Sequence, residues 1–195
     1  MIDHDIIREI FKKHEDDIRN KNFDKLFLNS EVRKANLIEF LINELGVNPL
    51  DYMTAIPSYM FSNNVSIDTL KIPGNIQKIY QYGIYQSNIK HIIIEEGLRE
   101  LQPRSISNNS QLIDVIIENG PRIIPNKCFE DDQSLRKVFI PKTVRNIEYQ
   151  AFPEQTFVIT PYRENEKDRL KVPQSEIEWY KKQLRFTHEK EVNEE

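Results

Sequence analysis

Cysteine is nearly absent: Cys128 is the one such residue in 195. That excludes an internal disulfide and a cysteine-based zinc cage, and it fits a reducing compartment. Histidine is little better supplied, with His4, His14, His91 and His188 scattered at no metal-binding spacing. Only 5 glycines occur, and none belongs to a phosphate loop, a nucleophile elbow or a dinucleotide fingerprint. No apolar run approaches the roughly 18 residues that a membrane span requires. Acids at Asp3 and Asp5 stand where a secretory leader needs basic residues, and no apolar stretch follows. Basic excess is missing too. The 27 Lys and Arg against 31 Asp and Glu leave a net charge of −4, which disfavours direct nucleic-acid binding. These absences lead to the expectation of a cytoplasmic, non-enzymatic protein with no cofactor, no metal and no membrane association.

What is present is a repeat. Five registers align: Ile56 to Phe61, Ile79 to Ile84, Leu101 to Ile106, Ile124 to Phe129 and Ile147 to Phe152. Their first residues step by 23, 22, 23 and 23. After the large apolar residue that closes each of the first four registers comes a polar turn: Ser62-Asn63-Asn64, Gln86-Ser87-Asn88, Ser107-Asn108-Asn109 and Glu130-Asp131-Asp132. Then follows an alternating apolar stretch, as in Leu70-Lys71-Ile72, Ile92-Ile93-Ile94, Val115-Ile116-Ile117 and Val138-Phe139-Ile140. Period-2 alternation bounded by Asn, Ser and Asp predicts a short strand in each repeat. One repeat cannot bury its apolar edge alone, whereas stacked neighbours share a continuous core one strand spacing at a time. The modest hydrophobic share of 38% suits such a thin core.

The segment Ile140-Pro141-Lys142-Thr143-Val144-Arg145-Asn146-Ile147-Glu148-Tyr149-Gln150-Ala151-Phe152 resembles the unit of BspA-like leucine-rich-repeat proteins: an Ile-Pro, a Val, an Ile, and a small residue before Phe. The resemblance covers about residues 55–160. It departs from the pattern where Glu95 and Glu118 replace the Pro seen at 73 and 141, and where Ile84 and Ile106 replace Phe. It implies a curved solenoid used for binding. Founding members are secreted bacterial adhesins, but with no export signal this chain is more similar to intracellular members, phage-encoded ones included. The expected fold is an α/β repeat solenoid, a leucine-rich-repeat stack of about five coils of 22–23 residues with helical N- and C-terminal caps.

The expected division is a helical cap over 1–50, the repeats over 51–162, and a C-terminal helix with a charged tail over 163–195. Ile2, Ile6, Ile10, Phe11 and Ile18 predict one helix over 2–19. Val32, Ala35, Leu37, Ile38, Leu41 and Leu45 predict another over 31–45, started by Ser30, stopped by Gly46 and followed by Asn48-Pro49. Ser175 to Glu178 has capping-box form, with Ile177, Tyr180 and Leu184 sharing the next face. That last helix, carrying Trp179, reads as a cap or as a partner-binding or dimerising element.

Candidate chemistry is sparse. Cys128 falls at the small position before Phe, equivalent to Gly83, Ser105 and Ala151, so it reads as a packed filler rather than a nucleophile. His14-Glu15-Asp16-Asp17 reads as a solvated helix end and Asp131-Asp132 as turn chemistry. Partner candidates come from strand phase. If Leu70 and Ile72, Ile92 and Ile94, Val115 and Ile117, and Val138 and Ile140 point inward, then Lys71, Ile93, Ile116 and Phe139 point outward as a mostly apolar row. Thr69, His91, Asp114 and Lys137 would rim it. A flanking helix or a second copy of the chain could cover the row instead. A second ladder, Gln77, Arg99, Arg122 and Arg145, brings three guanidinium groups together unless Glu100 and Glu118 neutralise them. The leading reading is a protein-interaction module that binds another protein through the repeat surface. The alternatives are a phage counter-defence inhibitor of a host nucleic-acid enzyme, favoured by an acidic patch from 15–17, 95–96 and 130–132, and a structural or assembly component that self-associates.

Overall fold

The computed structural model describes residues 4–62 and 67–187. Ile2, Asn63 and Asn64 of the turn after Phe61, His188 and the charged tail therefore lie outside the described residues. Five short helices open the chain: α1 (His4–Lys13), α2 (Glu15–Arg19), α3 (Phe23–Leu26), α4 (Ser30–Lys34) and α5 (Leu37–Asn43). Strands follow in chain order: β1 (Ala55–Ile56), β2 (Thr69–Ile72), β3 (Lys78–Ile79), β4 (Ile84–Tyr85), β5 (His91–Ile94), β6 (Glu100–Leu101) and β7 (Ile106–Ser107). Next come β8 (Asp114–Ile117), β9 (Ile123–Ile124), β10 (Lys137–Phe139), β11 (Asn146–Ile147) and β12 (Phe157–Thr160), then α6 (Ile177–Gln183) and β13 (Leu184–Phe186).

Every strand pairing is parallel. The longer strands make a six-stranded sheet in the order β13-β12-β10-β8-β5-β2. The short ones make three further sheets: β1-β3-β6, β11-β9 and β4-β7. Successive repeats thus add one longer strand each to the large sheet and short strands to the smaller ones, so that backbone polar groups of one repeat are met by the next. Buried side chains from Ile7 in α1 to Tyr180 in α6 form one core cluster.

Two backbone devices make the repeats stack. Gly97 has φ +137°, and a Cβ added there would lie 2.0 Å from the Gly74 carbonyl oxygen. Only glycine permits both that conformation and that approach. The second device is a left-handed residue in each repeat: Tyr59, Tyr82, Arg104, Lys127 and Gln150 have φ between 49° and 63°. The Tyr59 and Tyr82 amides turn to the next repeat's carbonyls, Tyr82 O at 2.7 Å and Arg104 O at 2.9 Å. A bulky side chain in this region costs on the order of 1 kcal/mol or more, so the neighbouring repeats must hold it there.

The helical ends differ from the sequence expectation in detail. The 2–19 segment breaks at His14, and in α1 it is Ile7 and Ile10 that are buried while Ile6 is exposed. The 31–45 segment is two helices, because Asn36 adopts φ 54° between them. Asn29, not Ser30, caps α4, its Oδ1 accepting the Glu31 amide. Val32, Leu37, Ile38 and Leu41 are buried as expected, whereas Leu45 is exposed. At the other end no side chain caps α6, and Leu184, expected on its face, starts β13 instead. The C-terminal segment therefore both covers the last repeat, through buried Tyr180, and adds a strand to the large sheet.

Candidate partner-binding face

The strand phase places Leu70, Ile72, Ile92, Ile94, Val115, Ile117, Val138 and Ile140 in the core. Pleating then turns the alternate residues out. Ile93 pairs in register with Lys71 and Ile116, and Ile116 with Phe139. β12 and β13 lengthen this line with Ile159 and Arg185. Beside it runs a second line, Thr69, His91, Asp114, Lys137 and Phe157, one residue from each successive strand. Ile116 is 39% exposed, Phe139 37% and Phe157 37%, with Ile93 half-buried. The face is thus an apolar band three strands wide and more, with His91 Nδ1 lying 3.0 Å from Asp114 Oδ2 at its rim. Arg185 closes one end, its guanidinium 4.6 Å from the centre of the Phe157 ring.

The arginine ladder lies elsewhere. Arg99, Arg122 and Arg145 directly precede β6, β9 and β11, which belong to the smaller sheets, so the fold does not bring them to the apolar band. Backbone bonds run from Arg99 N to Gln77 O and from Arg145 N to Arg122 O, so these main-chain positions are neighbours in successive repeats. Glu100 does not neutralise them, because it pairs with Lys78 at 2.8 Å. Glu118 instead accepts the Glu96 amide. Arg145 is occupied within the chain, donating to the Tyr162 hydroxyl at 2.6 Å and lying over that ring. Arg99 and Arg122 remain exposed.

Other sequence candidates resolve plainly. Cys128 is fully buried, 3.4 Å from Ser105 Oγ, and burial pushes its thiol up to about 12, the opposite of a reactive thiolate. Asp132 is also fully buried. Its Oδ1 accepts from both the Asn109 amide at 2.6 Å and Asn109 Nδ2 at 3.2 Å, and Asn109 Oδ1 in turn accepts from the Ser87 hydroxyl at 2.7 Å. Burial raises the Asp132 carboxyl well above the ordinary carboxylate range, and Oδ2 has no hydrogen-bond partner. Half of the acids expected in the acidic patch are taken up within the chain: Glu15 pairs with Arg19, Asp17 with Lys25, Glu130 with Arg104 and Lys127, and Asp132 is buried. Among the described residues no group of His, Cys, Asp and Glu could hold a metal ion, and no helix is long and apolar enough to cross a membrane.

Sequence reasoning missed two features. Phe157 and Ile159 escaped because β12 follows β10 by 20 residues rather than 23, although Phe157-Val158-Ile159-Thr160 alternates as the other strands do. The left-handed position escaped because nothing at 59, 82, 104, 127 and 150 but a side chain of changing type marks it.

A model of the BspA type leucine rich repeat region matches residues 45–158 in 6 copies, more than half of the chain. The chain belongs to this family. The count exceeds by one the five registers read from the sequence. No curated protein matches. Among solved structures, a leucine rich cell surface protein from Faecalibacterium prausnitzii A2-165 is similar, at 14% identity and a TM-score of 0.49 over 60% of this chain. The match spans 38% of that protein's chain, so this BspA-type chain corresponds to well under half of it.

Proposed function

We propose that this BspA-type repeat protein is an interaction module whose six-stranded sheet docks another protein on its outer face. The observation that carries the reading is the in-register line Ile93, Ile116 and Phe139, joined by exposed Phe157. Stacking asks only that inward residues be apolar, so an apolar outer row spanning consecutive strands has no structural necessity. Large apolar side chains flanked by a polar rim of His91, Asp114 and Lys137 match the anatomy of protein interfaces, with the apolar part central and the ionic part at the edge. The net charge of −4 favours a protein partner over a polynucleotide. Arg99 and Arg122 would serve as a separate, weaker contact for acidic groups.

A photo-reactive side chain introduced at Phe139, with a control at exposed Lys171, which bridges Asn146 of the small β11-β9 sheet, tests this in the native host. Cross-links to one defined protein, or to a second copy of the chain, from Phe139 alone are expected. Equal cross-linking from both positions removes the reading.

A further inference from the structure

The left-handed position of the first two repeats carries tyrosine. Tyr59 and Tyr82 stack with ring centres 5.4 Å apart and planes 24° apart. Tyr85 meets both edge-on, at 5.8 Å and 5.0 Å. The same backbone position holds Arg104, Lys127 and Gln150 further along, so the fold dictates its conformation but not an aromatic side chain. Asn or Gly would adopt it with less strain. Two bulky rings there form a platform the stack does not need.

Beside this platform lies an open cavity of about 380 Å³, between α4 and the first repeats. Tyr59, Tyr85, Ser30, Arg33, Lys34 and Gln86 line it. Tyr59 and Tyr85 both line it and Tyr82 does not, so the part of the Tyr59 ring that Tyr82 covers is not the part presented to the cavity. Tyr59 is 41% exposed. The cavity wall contains two cations and no carboxylate. Arg33 uses one nitrogen to bind the Phe27 carbonyl at 2.6 Å, which fixes the guanidinium while leaving its other donors. Glu31, the acid on the same helix, is paired with Lys13 at 2.8 Å; Lys34 acts on it only through its charge and makes no ion pair within 4.0 Å among the described residues.

We propose that this cavity binds an aromatic ring carrying a phosphate group, the ring packing against Tyr59 and Tyr85 and the phosphate meeting Arg33 and Lys34. Aromatic platforms accept any planar ring, and a guanidinium with a neighbouring ammonium selects a dianion over a neutral group. The size lies in the range of small-ligand sites. Two sources offer this chemistry: a free mononucleotide and the phosphotyrosine side chain of another protein. The site is separate from the apolar band and does not rest on that reading.

Titration calorimetry of the full chain tests it with phenyl phosphate, AMP and a phosphotyrosine amide as probes, and inorganic phosphate and adenosine as controls. Saturable one-site binding of phenyl phosphate is expected, with both controls at least tenfold weaker. Tighter binding of AMP than of the phosphotyrosine amide assigns the nucleotide source, and the reverse order assigns the phosphoprotein. Tyr59→Asn, which suits the left-handed backbone, and Lys34→Gln, on an exposed position, should each weaken phenyl phosphate about tenfold. Arg33 is left intact because it anchors Phe27. Absence of binding, equal binding of inorganic phosphate, or wild-type affinity in Lys34→Gln overturns the proposal.

Discussion

The Arg185 guanidinium lies over the Phe157 ring, 4.6 Å from its centre, and so places a cation at the C-terminal end of the apolar line that runs through Ile93, Ile116, Phe139 and Ile159. The contact joins the C-terminal strand to the band that begins at Ile93. The terminal segment thereby sets how far that band extends.

Serine at Ile116 or Phe139 should leave the melting temperature nearly unchanged, because both are exposed in the free chain. Each should weaken partner capture or self-association by roughly 1.5–3 kcal/mol, the value of burying such a side chain. Ile93→Ser should do the same with a larger stability loss, since Ile93 is half-buried. Thermal melts alongside binding measurements check this, and unfolding of all three variants would make the band part of the core.

Arg99→Glu and Arg122→Glu act on a different sheet from the band. Their effect on association at the band should be small and confined to low salt, where charges beyond about 10 Å still act. A loss that persists at high salt would show that the arginines contact the partner directly.

The buried Asp132 carries a pH signature. Its folded-state carboxyl is raised by burial, so its contribution to stability is complete below the ordinary aspartate value and is lost as pH rises through the folded value. Asp132→Asn keeps an oxygen for Asn109 and removes the ionisation. The variant should match the wild type near pH 4 and be the more stable of the two at pH 7. Denaturation midpoints at the two pH values give the answer, and a constant difference would place the ionisation elsewhere.

Cys128 should resist thiol reagents in the folded chain, with labelling limited by opening of the structure. Cys128→Ala should be mild, and Cys128→Leu should cost about 1–3 kcal/mol by overpacking against Ser105 and its neighbours. Fast labelling by a bulky reagent below the melting transition is the contrary result.

The repeat, its strand phase and the outward row were legible because they depend on local alternation recurring at constant spacing: Leu70, Ile92, Val115 and Val138 say the same thing four times. The helical ends were less so, since the break at Asn36 is a single left-handed residue inside a continuous apolar pattern, and the change from helix to strand at Leu184 goes with its pairing to β12. The Phe157 extension was hidden by a shortened repeat. The tyrosine platform was hidden because a left-handed backbone at Tyr59 and Tyr82 leaves no compositional mark when the residue is not glycine. Which of Arg99, Arg122 and Arg145 stays unpaired likewise depended on Tyr162, 17 residues beyond the last of them.

The buried chain from Ser87 to Asn109 to Asp132 bears on how such a molecule finds its own order. A stack of near-identical turns can, while folding, dock one turn out of frame and still cover its apolar edge, because Ile, Leu, Val and Phe are nearly interchangeable there. Serine, asparagine and aspartate are not. The Asn109 amide and side chain donate to the Asp132 carboxyl in the following turn, and its side-chain oxygen takes the hydroxyl of the preceding one. Skipping the 109 turn would set Ser87 directly against Asp132 and leave the Asn109 groups dry and unanswered, a misfit that an apolar interior alone would never detect. The three residues act as a counting device, numbering turns that would otherwise be indistinguishable.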